Sequence, residues 1–284
     1  MNSQYCFCSL AVGQRYRTHA KMLAEDLQKY APETLFVLLT DKPKAFEPYP
    51  NVRPLFHRVR SVKGFHDKRF VLEKALELFE SCIFVDADMR VLGPVPQAIH
   101  FQPGLVARYG CGILKHTASD KVRPSFALIQ AVAQALQLDL EEVSWFHECL
   151  FTCSRQQGKE KDFFQMWQSI AYYFESKGVY DGAGNVAGLA AAKSGFHLGF
   201  HRQDLFPYFK DNIQKEKIKQ GTADPTLMAA EFQTHREIEY PRRAFAQKVT
   251  DKVTTTMGRS YRLLNLRLQS MQDEQFRAMS EFNS

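Results

Sequence analysis

Short apolar runs alternate with amphipathic segments through the first third of the chain, and this alternation limits the fold more than any other feature of the sequence. The runs lie at 5–12, 34–40 and 82–85, and each is apolar at nearly all positions rather than at every second position. Continuous apolar runs of this length are typical of strands that are buried on both faces of a sheet. The sequence therefore predicts three buried strands in this region.

Two amphipathic helices are predicted between these runs. Thr18 can cap the first helix, which Pro32 ends, and Asp67 can cap the second, which continues to Phe79. Strand–helix–strand alternation is typical of parallel sheets that are covered by helices on both faces. The sequence therefore predicts an α/β fold whose sheet is mostly parallel and flanked by helices.

The second half of the chain is less regular. Strands are predicted at 104–109 and 145–153, and helices at 124–137 and 160–177. The small-residue segment 182–193 is expected to form a tightly packed helix. No internal repeat, low-complexity tract or obvious linker separates these segments, so a single domain is expected.

Acidic residues follow two of the predicted strands. Ligands of parallel sheets gather at the carboxyl ends of the strands, and here those ends carry Gly13, Asp41 and the pair Asp86 and Asp88. Two carboxylates separated by one alanine can converge on a divalent cation, which can also take diphosphate oxygens. Aspartate is also common in solvated turns. The position after a buried strand favours a metal site with Asp86 and Asp88 as ligands.

Four segments, taken in order, resemble the GT-A class of nucleotide-sugar-dependent glycosyltransferases over about residues 4–200. They are CSLAVG at 8–13 with Tyr16 after it, FVLLTD at 36–41, the helix with Lys68 and Arg69 that leads to IFVDADM at 83–89, and DGAGN at 181–185. Their order is most similar to the retaining, galactosyltransferase-like families. The resemblance implies a GT-A-like single domain with a Rossmann-like sheet, expected at 1–241. The charge and spacing of the remaining residues predict a basic, helical extension at 242–284.

The resemblance also implies a role for each matching residue. Base and ribose would lie against Ala11, Val12, Gly13 and Tyr16, and would donate hydrogen bonds to Asp41. Lys68 would lie near the diphosphate, and Asp86 would touch ribose or, through water, the metal. Asp88 would bind Mn²⁺ or Mg²⁺ directly. Gly13 as a turn glycine, Asp41 as a loop cap and Lys68 as a solvated lysine are the simpler alternatives.

Three polar residues are candidates for the transfer step itself. Glu148, predicted on a half-buried strand, and Asp181 could orient the acceptor or stabilise positive charge on the sugar, and Asn185 could bind a sugar hydroxyl. Some relatives supply a third metal ligand from a histidine in the string H-x-x-G-x-x-K-P-W, which this sequence lacks. His197 and His201 lie near the expected region, but their spacing supports neither.

The implied activity is metal-dependent transfer of a sugar, with retention, from a nucleotide-sugar donor, most simply UDP-linked, to a hydroxyl of a glycan or lipid-linked acceptor. A nucleotidyltransferase is an alternative, but such an enzyme usually has a Gly-rich basic loop after the first strand, where this chain reads AVGQRY. A non-catalytic protein that binds nucleotide sugars is a further alternative.

The excess positive charge lies near the C-terminus. The net charge is +6, and residues 242–267 hold seven of the 37 basic residues but one of the 31 acidic ones. The helix predicted here has an apolar side formed by Phe245, Val249, Val253, Met257, Leu264 and Leu268. Its basic side is formed by Lys248, Lys252, Arg259 and Arg262. Contact with an anionic membrane or a lipid-linked acceptor, docking on the domain, and oligomer contact all fit this pattern. No motif for nucleic acid appears, so no nucleic-acid partner is expected.

The cysteines and the N-terminal sequence indicate the cellular compartment that is expected for this protein. Cys6, Cys8 and Cys82 lie in apolar runs, where cysteine behaves as a small buried hydrophobe, and no pair of cysteines has zinc-site spacing. No secretory signal pattern is evident, and no apolar run approaches the roughly 20 residues that span a bilayer. A cytoplasmic protein is expected, with peripheral contact to the inner membrane face as a further expectation.

Overall fold

A computed structural model describes residues 5–118, 123–180, 182–201, 203–242 and 245–282. The strands are β1 (Tyr5–Ala11), β2 (Phe36–Thr40), β3 (Val52–Phe56), β4 (Ser81–Val85), β5 (Arg90–Val91), β6 (Gly104–Ala107), β7 (Gly110–Gly112), β8 (Ser144–Phe146), β9 (Leu150–Ser154), β10 (Leu198–Phe200) and β11 (Tyr208–Phe209). The α-helices are α1 (Gln14–Tyr30), α2 (Lys68–Leu78), α3 (Ile113–Thr117), α4 (Arg123–Leu136), α5 (Lys159–Ser176), α6 (Ala183–Ser194), α7 (Asp211–Lys219), α8 (Ala229–Glu239), α9 (Phe245–Ser270) and α10 (Glu274–Phe282).

Seven strands form the central sheet, in the order β10-β6-β9-β4-β1-β2-β3. β1 pairs in parallel with β2 and β4, β2 pairs in parallel with β3, and β10 pairs in parallel with β6. β9 alone within this sheet runs the other way, antiparallel to both β4 and β6. The predicted α/β fold with a mostly parallel sheet is confirmed.

Helices cover both faces of the sheet and enclose two clusters of buried side chains. Leu23 of α1 lies in the cluster on one face and Trp167 of α5 in the cluster on the other. Successive side chains of a strand point to opposite faces, so Phe7 of β1 lies in the first cluster and Cys6 and Cys8 in the second. The expected burial of these cysteines is confirmed, and all six cysteines of the chain are free.

The start of the first helix differs from the prediction. α1 begins at Gln14, and the hydroxyl of Thr18 donates to the backbone oxygen of Gln14 at 3.0 Å instead of capping the helix. Gly13, with φ of 88°, turns the chain directly from β1 into α1, which only glycine does without strain. The first helix therefore starts one turn earlier than a side-chain cap predicts.

Three other elements also differ from the prediction. The carboxylate of Asp67 caps no amide of α2 and instead accepts hydrogen bonds from the loop before it. The strand predicted at 145–153 is wrong, because the chain turns at 147–149 between β8 and β9. β3 was not predicted; it contains Pro54, which a strand at the edge of a sheet tolerates. The helices predicted at 124–137, 160–177 and 182–193 are confirmed to within one residue at each end.

The C-terminal helices pack on the domain through few side chains. Leu266 and Ser270 of α9 are buried, and α9 contacts α5. Met279 of α10 is buried in the second cluster, beside α4 and α5. In the part of the chain that the structure describes, no helix combines the length and apolar character needed to cross a bilayer.

Candidate active site

A cavity of about 250 Å³ opens at the carboxyl edge of β1 and β4. It is lined by Leu10, Val12, Tyr16, Val59, Lys63, Gly64, Phe65, Lys68, Phe84, Asp86, Ala87, Asp88 and Lys210. The lining is apolar on the side of β1 and charged around the turn after β4. Because parallel strands end here together, this is the edge at which α/β sheets bind ligands.

Two lysines flank the acidic pair. The ammonium of Lys68 lies 2.8 Å from an oxygen of Asp86. The ammonium of Lys210 lies 3.1 Å from the other oxygen of Asp86 and also pairs with Asp88. All four side chains are at most 22% exposed. The cluster is therefore charge-balanced and largely withdrawn from water, which strengthens its electrostatic interactions.

Burial and charge act in opposite directions on the ionisation of this cluster. Burial alone would raise the pKa of Asp88, but the nearby imidazole of His235 and the charge of Lys210 outweigh it and hold the pKa well below its usual range. Burial alone would lower the pKa of Lys210, but Asp86 and Asp88 raise it above the usual value. Both groups are therefore charged at neutral pH.

Backbone contacts fix the turn that carries the acidic pair. The amide of Asp86 donates to the carbonyl of Cys149 at 2.8 Å, and the amide of Met89 donates to the carbonyl of Asp86 at 3.0 Å. Just beyond the turn, the guanidinium of Arg90 binds both oxygens of Asp26 on α1, at 2.6 and 2.8 Å. Such bidentate pairs fix direction as well as distance.

Four of the seven predicted nucleotide-binding residues line the cavity, and three do not. Val12, Tyr16, Lys68 and Asp86 line the cavity. The side chain of Ala11 instead lies in the hydrophobic cluster beneath α1. The other two predicted residues, Gly13 and Asp41, lie beside the cavity, in contact with each other.

Asp41 already has strong partners. Its carboxylate lies 2.6 Å from the guanidinium of Arg17 and accepts a hydrogen bond from the amide of Gly13 at 3.2 Å. These contacts hold the loop after β2 against the start of α1. Asp41 also lines a neighbouring groove that Val12 shares with α9.

Glu148 lies in the turn between β8 and β9, so the prediction that it lies on a strand is wrong. Its backbone oxygen accepts a hydrogen bond from the ammonium of Lys68 at 2.8 Å. This contact brings the turn of Glu148 beside Asp86.

Asn185 carries a polar group without a partner. It lies on α6 and is 1% exposed, and neither its amide oxygen nor its amide nitrogen has a hydrogen-bond partner. An unpaired buried amide is costly and is a sign of a ligand or ordered water at that point. A Cβ added to the neighbouring Gly184 would lie 3.1 Å from a carboxylate oxygen of Glu148. The start of α6 therefore approaches the Glu148 turn closely. Asp181, the other acidic candidate, lies outside the described residues.

Sequence reasoning missed Lys210 and His235. Lys210 follows β11, which pairs with β5 directly after the acidic turn. His235 lies on α8, with its Nε2 atom 3.9 Å from an oxygen of Asp88. No local pattern marks either residue, since each reaches the site through a contact distant in sequence. His197 and His201 flank β10, which is separated from β4 by two strands of the sheet.

The donors around the acidic turn are compatible with a divalent cation. Asp86 and Asp88 supply carboxylate oxygens of the kind that Mn²⁺ and Mg²⁺ prefer. Lys210 lies between the two carboxylates, so a shared cation requires its ammonium to shift toward another anion, such as a diphosphate.

No protein-family model and no curated protein matches the chain. Among solved structures, it is similar to galactosyltransferase LgtC in complex with donor and acceptor sugar analogues, at 12% identity and a TM-score of 0.47, covering 68% of this chain and 72% of LgtC. It is also similar to the bifunctional glycosyltransferase WbbM in its apo form, at 12% identity and a TM-score of 0.43, covering 71% of this chain and 39% of WbbM. Both likenesses are of fold, so function has to be inferred from the residues of the site.

Proposed function

We propose that this chain is a glycosyltransferase that moves a sugar from a nucleotide-sugar donor, most simply UDP-linked, to a hydroxyl acceptor. The observation that carries the proposal is the cluster of Asp86, Asp88, Lys68 and Lys210 at the floor of the cavity. Sugar transfer from such a donor releases a nucleoside diphosphate, whose developing negative charge must be stabilised. Buried cations fixed in advance are suited to this task.

The cavity offers distinct surfaces for the two ends of the donor. Val12 and Tyr16 lie where the base and ribose would pack, with Gly13 and Asp41 beside them. The diphosphate would then lie at the charged end, where Lys68 donates to its oxygens. Lys210 would exchange one carboxylate partner for a phosphate oxygen, because its ammonium already lies at the cavity wall.

A divalent cation is part of the proposal. Asp86 and Asp88 would hold Mn²⁺ or Mg²⁺, and the bound ion would supply Lewis-acid stabilisation of the diphosphate. Removal of the cation with a chelator is expected to abolish sugar transfer, and added Mn²⁺ is expected to restore it. If transfer continued unchanged after chelation, Lys68 and Lys210 alone would stabilise the charge of the leaving diphosphate.

The sugar end of the donor would lie toward Glu148 and Asn185. The unpartnered amide of Asn185 can bind a sugar hydroxyl, and Glu148 can orient the acceptor hydroxyl. The indole ring of Trp145 stacks on the imidazole of His116, with centroids 3.7 Å apart, beside the same turn. We include retention of anomeric configuration in the proposal, with Asp181 as a second acidic candidate.

The proposal is tested by incubating the full chain with UDP-sugars and Mn²⁺ and measuring release of nucleoside diphosphate. Asp88→Asn and Lys210→Gln are expected to lower turnover by about 10²–10³-fold, as the loss of one charge-stabilising group does in other enzymes. Lys215→Gln is the matched control, because Lys215 is 64% exposed on the neighbouring α7. Metal-dependent UDP binding that is unchanged in Asp88→Asn would contradict the proposal.

The released product separates this function from the alternatives. A nucleotidyltransferase would release pyrophosphate from a nucleoside triphosphate instead of nucleoside diphosphate from a sugar donor. A protein that only binds nucleotide sugars would raise its melting temperature with the donor but turn none over.

We also propose that the outer face of α9 rests on an anionic membrane, where a lipid-linked acceptor would be found. Its exposed apolar side chains are Val253, Met257, Tyr261, Leu264 and Leu268, which are 50–67% exposed. The side chains of Phe245, Lys248 and Val249, which the sequence assigned to this helix, lie outside those described. Leu266 and Ser270 face the domain instead.

The charge of α9 favours lipid over a second copy of the chain. Residues 252–270 contain four basic residues and no acidic one, so two copies would repel each other while anionic lipid would attract the helix. Arg262, predicted on the exposed basic side, instead donates to the backbone oxygen of Val62 and helps to dock the helix.

Sedimentation with vesicles tests this surface. The chain is expected to bind vesicles that contain phosphatidylserine. A double variant with Leu264→Gln and Leu268→Gln is expected to lose that binding. Leu227→Gln, at a leucine that is 76% exposed outside α9, is the matched control. Binding that is independent of anionic lipid, or a dimer that the double substitution dissociates, would contradict the membrane proposal.

A further inference from the structure

Two histidines and a glutamate meet where α8 crosses α1. They are His19 of α1 and His235 and Glu239 of α8, and one ligand atom from each lies within 4.8 Å of the others. The imidazoles of His19 and His235 lie with their centroids 5.1 Å apart. The Nε2 atom of His19 lies 3.1 Å from an oxygen of Glu239.

We propose that His19, His235 and Glu239 bind a transition-metal ion of the Zn²⁺ class, which fastens α8 to α1. Two imidazoles and one carboxylate form a typical three-residue ligand set for zinc, with a fourth position left for water or another ligand. Nitrogen ligands lie about 2.0–2.1 Å from zinc, so two ligands of one tetrahedral ion lie about 3.3 Å apart. The three ligand atoms would therefore have to approach one another by about 1.5 Å or less to bind one ion, and rotation of the side chains allows this movement.

A buried nitrogen without a partner is the second observation. The Nε2 atom of His235 has no hydrogen-bond partner, although the side chain is only 11% exposed. A buried polar atom in this state costs free energy unless something binds it. His235 and Glu239 are four residues apart, so both project from the same face of α8 toward His19.

The glutamate of the cluster is already oriented toward His19. One oxygen of Glu239 pairs with Arg15 at 3.1 Å, and the other lies 3.1 Å from the Nε2 atom of His19. Arg15 therefore fixes the carboxylate with its other oxygen turned toward the imidazole that would share the ion.

Few other contacts hold α8 on the rest of the protein. No residue of α8 is fully buried. Besides the cluster, α8 contacts the domain through Glu231, which pairs with Arg90 at 3.1 Å, and through Phe232, which packs against Phe209. A bound ion would add binding free energy that the apolar contacts of α8 do not supply.

The site is separate from the acidic turn in its chemistry. Asp88 is the nearest group of that turn, with a carboxylate oxygen 3.9 Å from the Nε2 atom of His235, but it is not among the three residues whose ligand atoms cluster. The imidazole-rich set selects zinc, whereas the two carboxylates of the turn suit manganese or magnesium. This inference does not depend on glycosyl transfer, and its test does not measure activity.

Titration of the full, metal-free chain with Zn²⁺ alone tests the site. We expect one bound ion, a rise in melting temperature, and visible absorption bands on substitution with Co²⁺, which report its coordination. His19→Ala and Glu239→Gln are each expected to weaken Zn²⁺ binding by at least about tenfold, since even outer-shell partners of metal ligands contribute about 10–100-fold. His100→Ala, at an exposed histidine, is expected to leave it unchanged.

Hydrogen exchange gives a second measurement, should a histidine variant fold poorly. In the unaltered chain, Zn²⁺ is expected to slow exchange of the α8 amides while leaving the amides of β1 unchanged. Absence of Zn²⁺ binding, binding that survives both His19→Ala and Glu239→Gln, or exchange in α8 that Zn²⁺ does not alter would each overturn the proposal.

Discussion

The part of the chain that forms β1, β2 and β4 and the part that forms α7 to α10 are stabilised in different ways. Every residue of β2 and β4 is buried, and these strands pair in register with β1. By contrast, α8 has no fully buried residue and α9 exposes a row of apolar side chains. The first region is held by apolar packing, whereas the second is held by a few polar contacts and isolated buried side chains.

This difference has a functional consequence. The rigid strands fix Asp86 and Asp88, while Lys210 and His235 reach the same site from the more loosely packed region. A substitution can therefore destabilise the strands that carry Asp86 and Asp88, or loosen the region that carries Lys210 and His235, without doing both. The following predictions test that separation, beginning with the largest effect.

Phe7→Ala should have the largest effect on stability. Phe7 is fully buried in β1 and packs edge-on against Phe206, with ring centroids 5.9 Å apart. Loss of a buried phenylalanine side chain costs about 3–5 kcal/mol, because apolar burial is lost and a cavity remains. Urea unfolding should show this decrease in the free energy of unfolding. A decrease below about 1 kcal/mol would mean that the core around β1 repacks freely.

Glu175→Gln should change how stability depends on pH. Glu175 lies fully buried on α5, and burial raises its pKa to about 8, although it accepts a hydrogen bond from the amide of Val62 at 2.9 Å. The folded state therefore holds a proton that the unfolded chain loses near pH 4.5, so wild-type stability should fall as pH rises from about 4.5 to 8.

Because glutamine keeps the acceptor without the ionisable proton, Glu175→Gln should remove this dependence. The variant should exceed the wild type by a few kcal/mol at pH 8 and match it near pH 4.5, on the order expected for a shift of this size. Thermal unfolding at a series of pH values measures the difference. Parallel pH profiles for the two proteins would show that Glu175 is ionised in the folded state.

Arg262→Gln should have a smaller effect, located in the C-terminal region. The guanidinium of Arg262 donates two hydrogen bonds to the backbone oxygen of Val62, at 2.9 and 3.1 Å, and this contact joins α9 to the loop that lines the cavity. Loss of hydrogen bonds from a charged group costs about 1.5–3 kcal/mol. Limited proteolysis should cleave within α9 sooner in the variant. Unchanged cleavage would show that Leu266 and Ser270 suffice to hold the helix.

Met257→Ala should have the smallest effect. Its side chain is 67% exposed on the outer face of α9, and substitutions at such positions change the free energy of unfolding by about 0.5 kcal/mol or less. Urea unfolding of this variant is the matched comparison for Phe7→Ala. A loss of about 2 kcal/mol or more, on the scale of a buried methionine, would mean that the outer face is covered in solution.

Much of the scaffold could be predicted because its signals are local. Continuous apolar runs predicted β1, β2 and β4, helical patterns predicted α1, α2, α4 and α5, and a run of small residues predicted α6. The acidic pair was found for the same reason, since Asp86 and Asp88 directly follow a buried strand. The helix start at Thr18 was wrong because a glycine with positive φ replaced the side-chain cap. The strand at 145–153 was wrong because a turn lies within an apolar sequence.

The sequence by itself determined the α/β class, the buried strands and the position of the acidic pair. Only the tertiary structure decided what surrounds that pair. Lys210 is 122 residues from Asp88 along the chain and reaches it because β11 pairs with β5, and His235 reaches it because α8 packs across α1. Periodicity reports which face of an element is buried, but not which distant element covers it, so Lys210 and His235 could be located only in the folded chain.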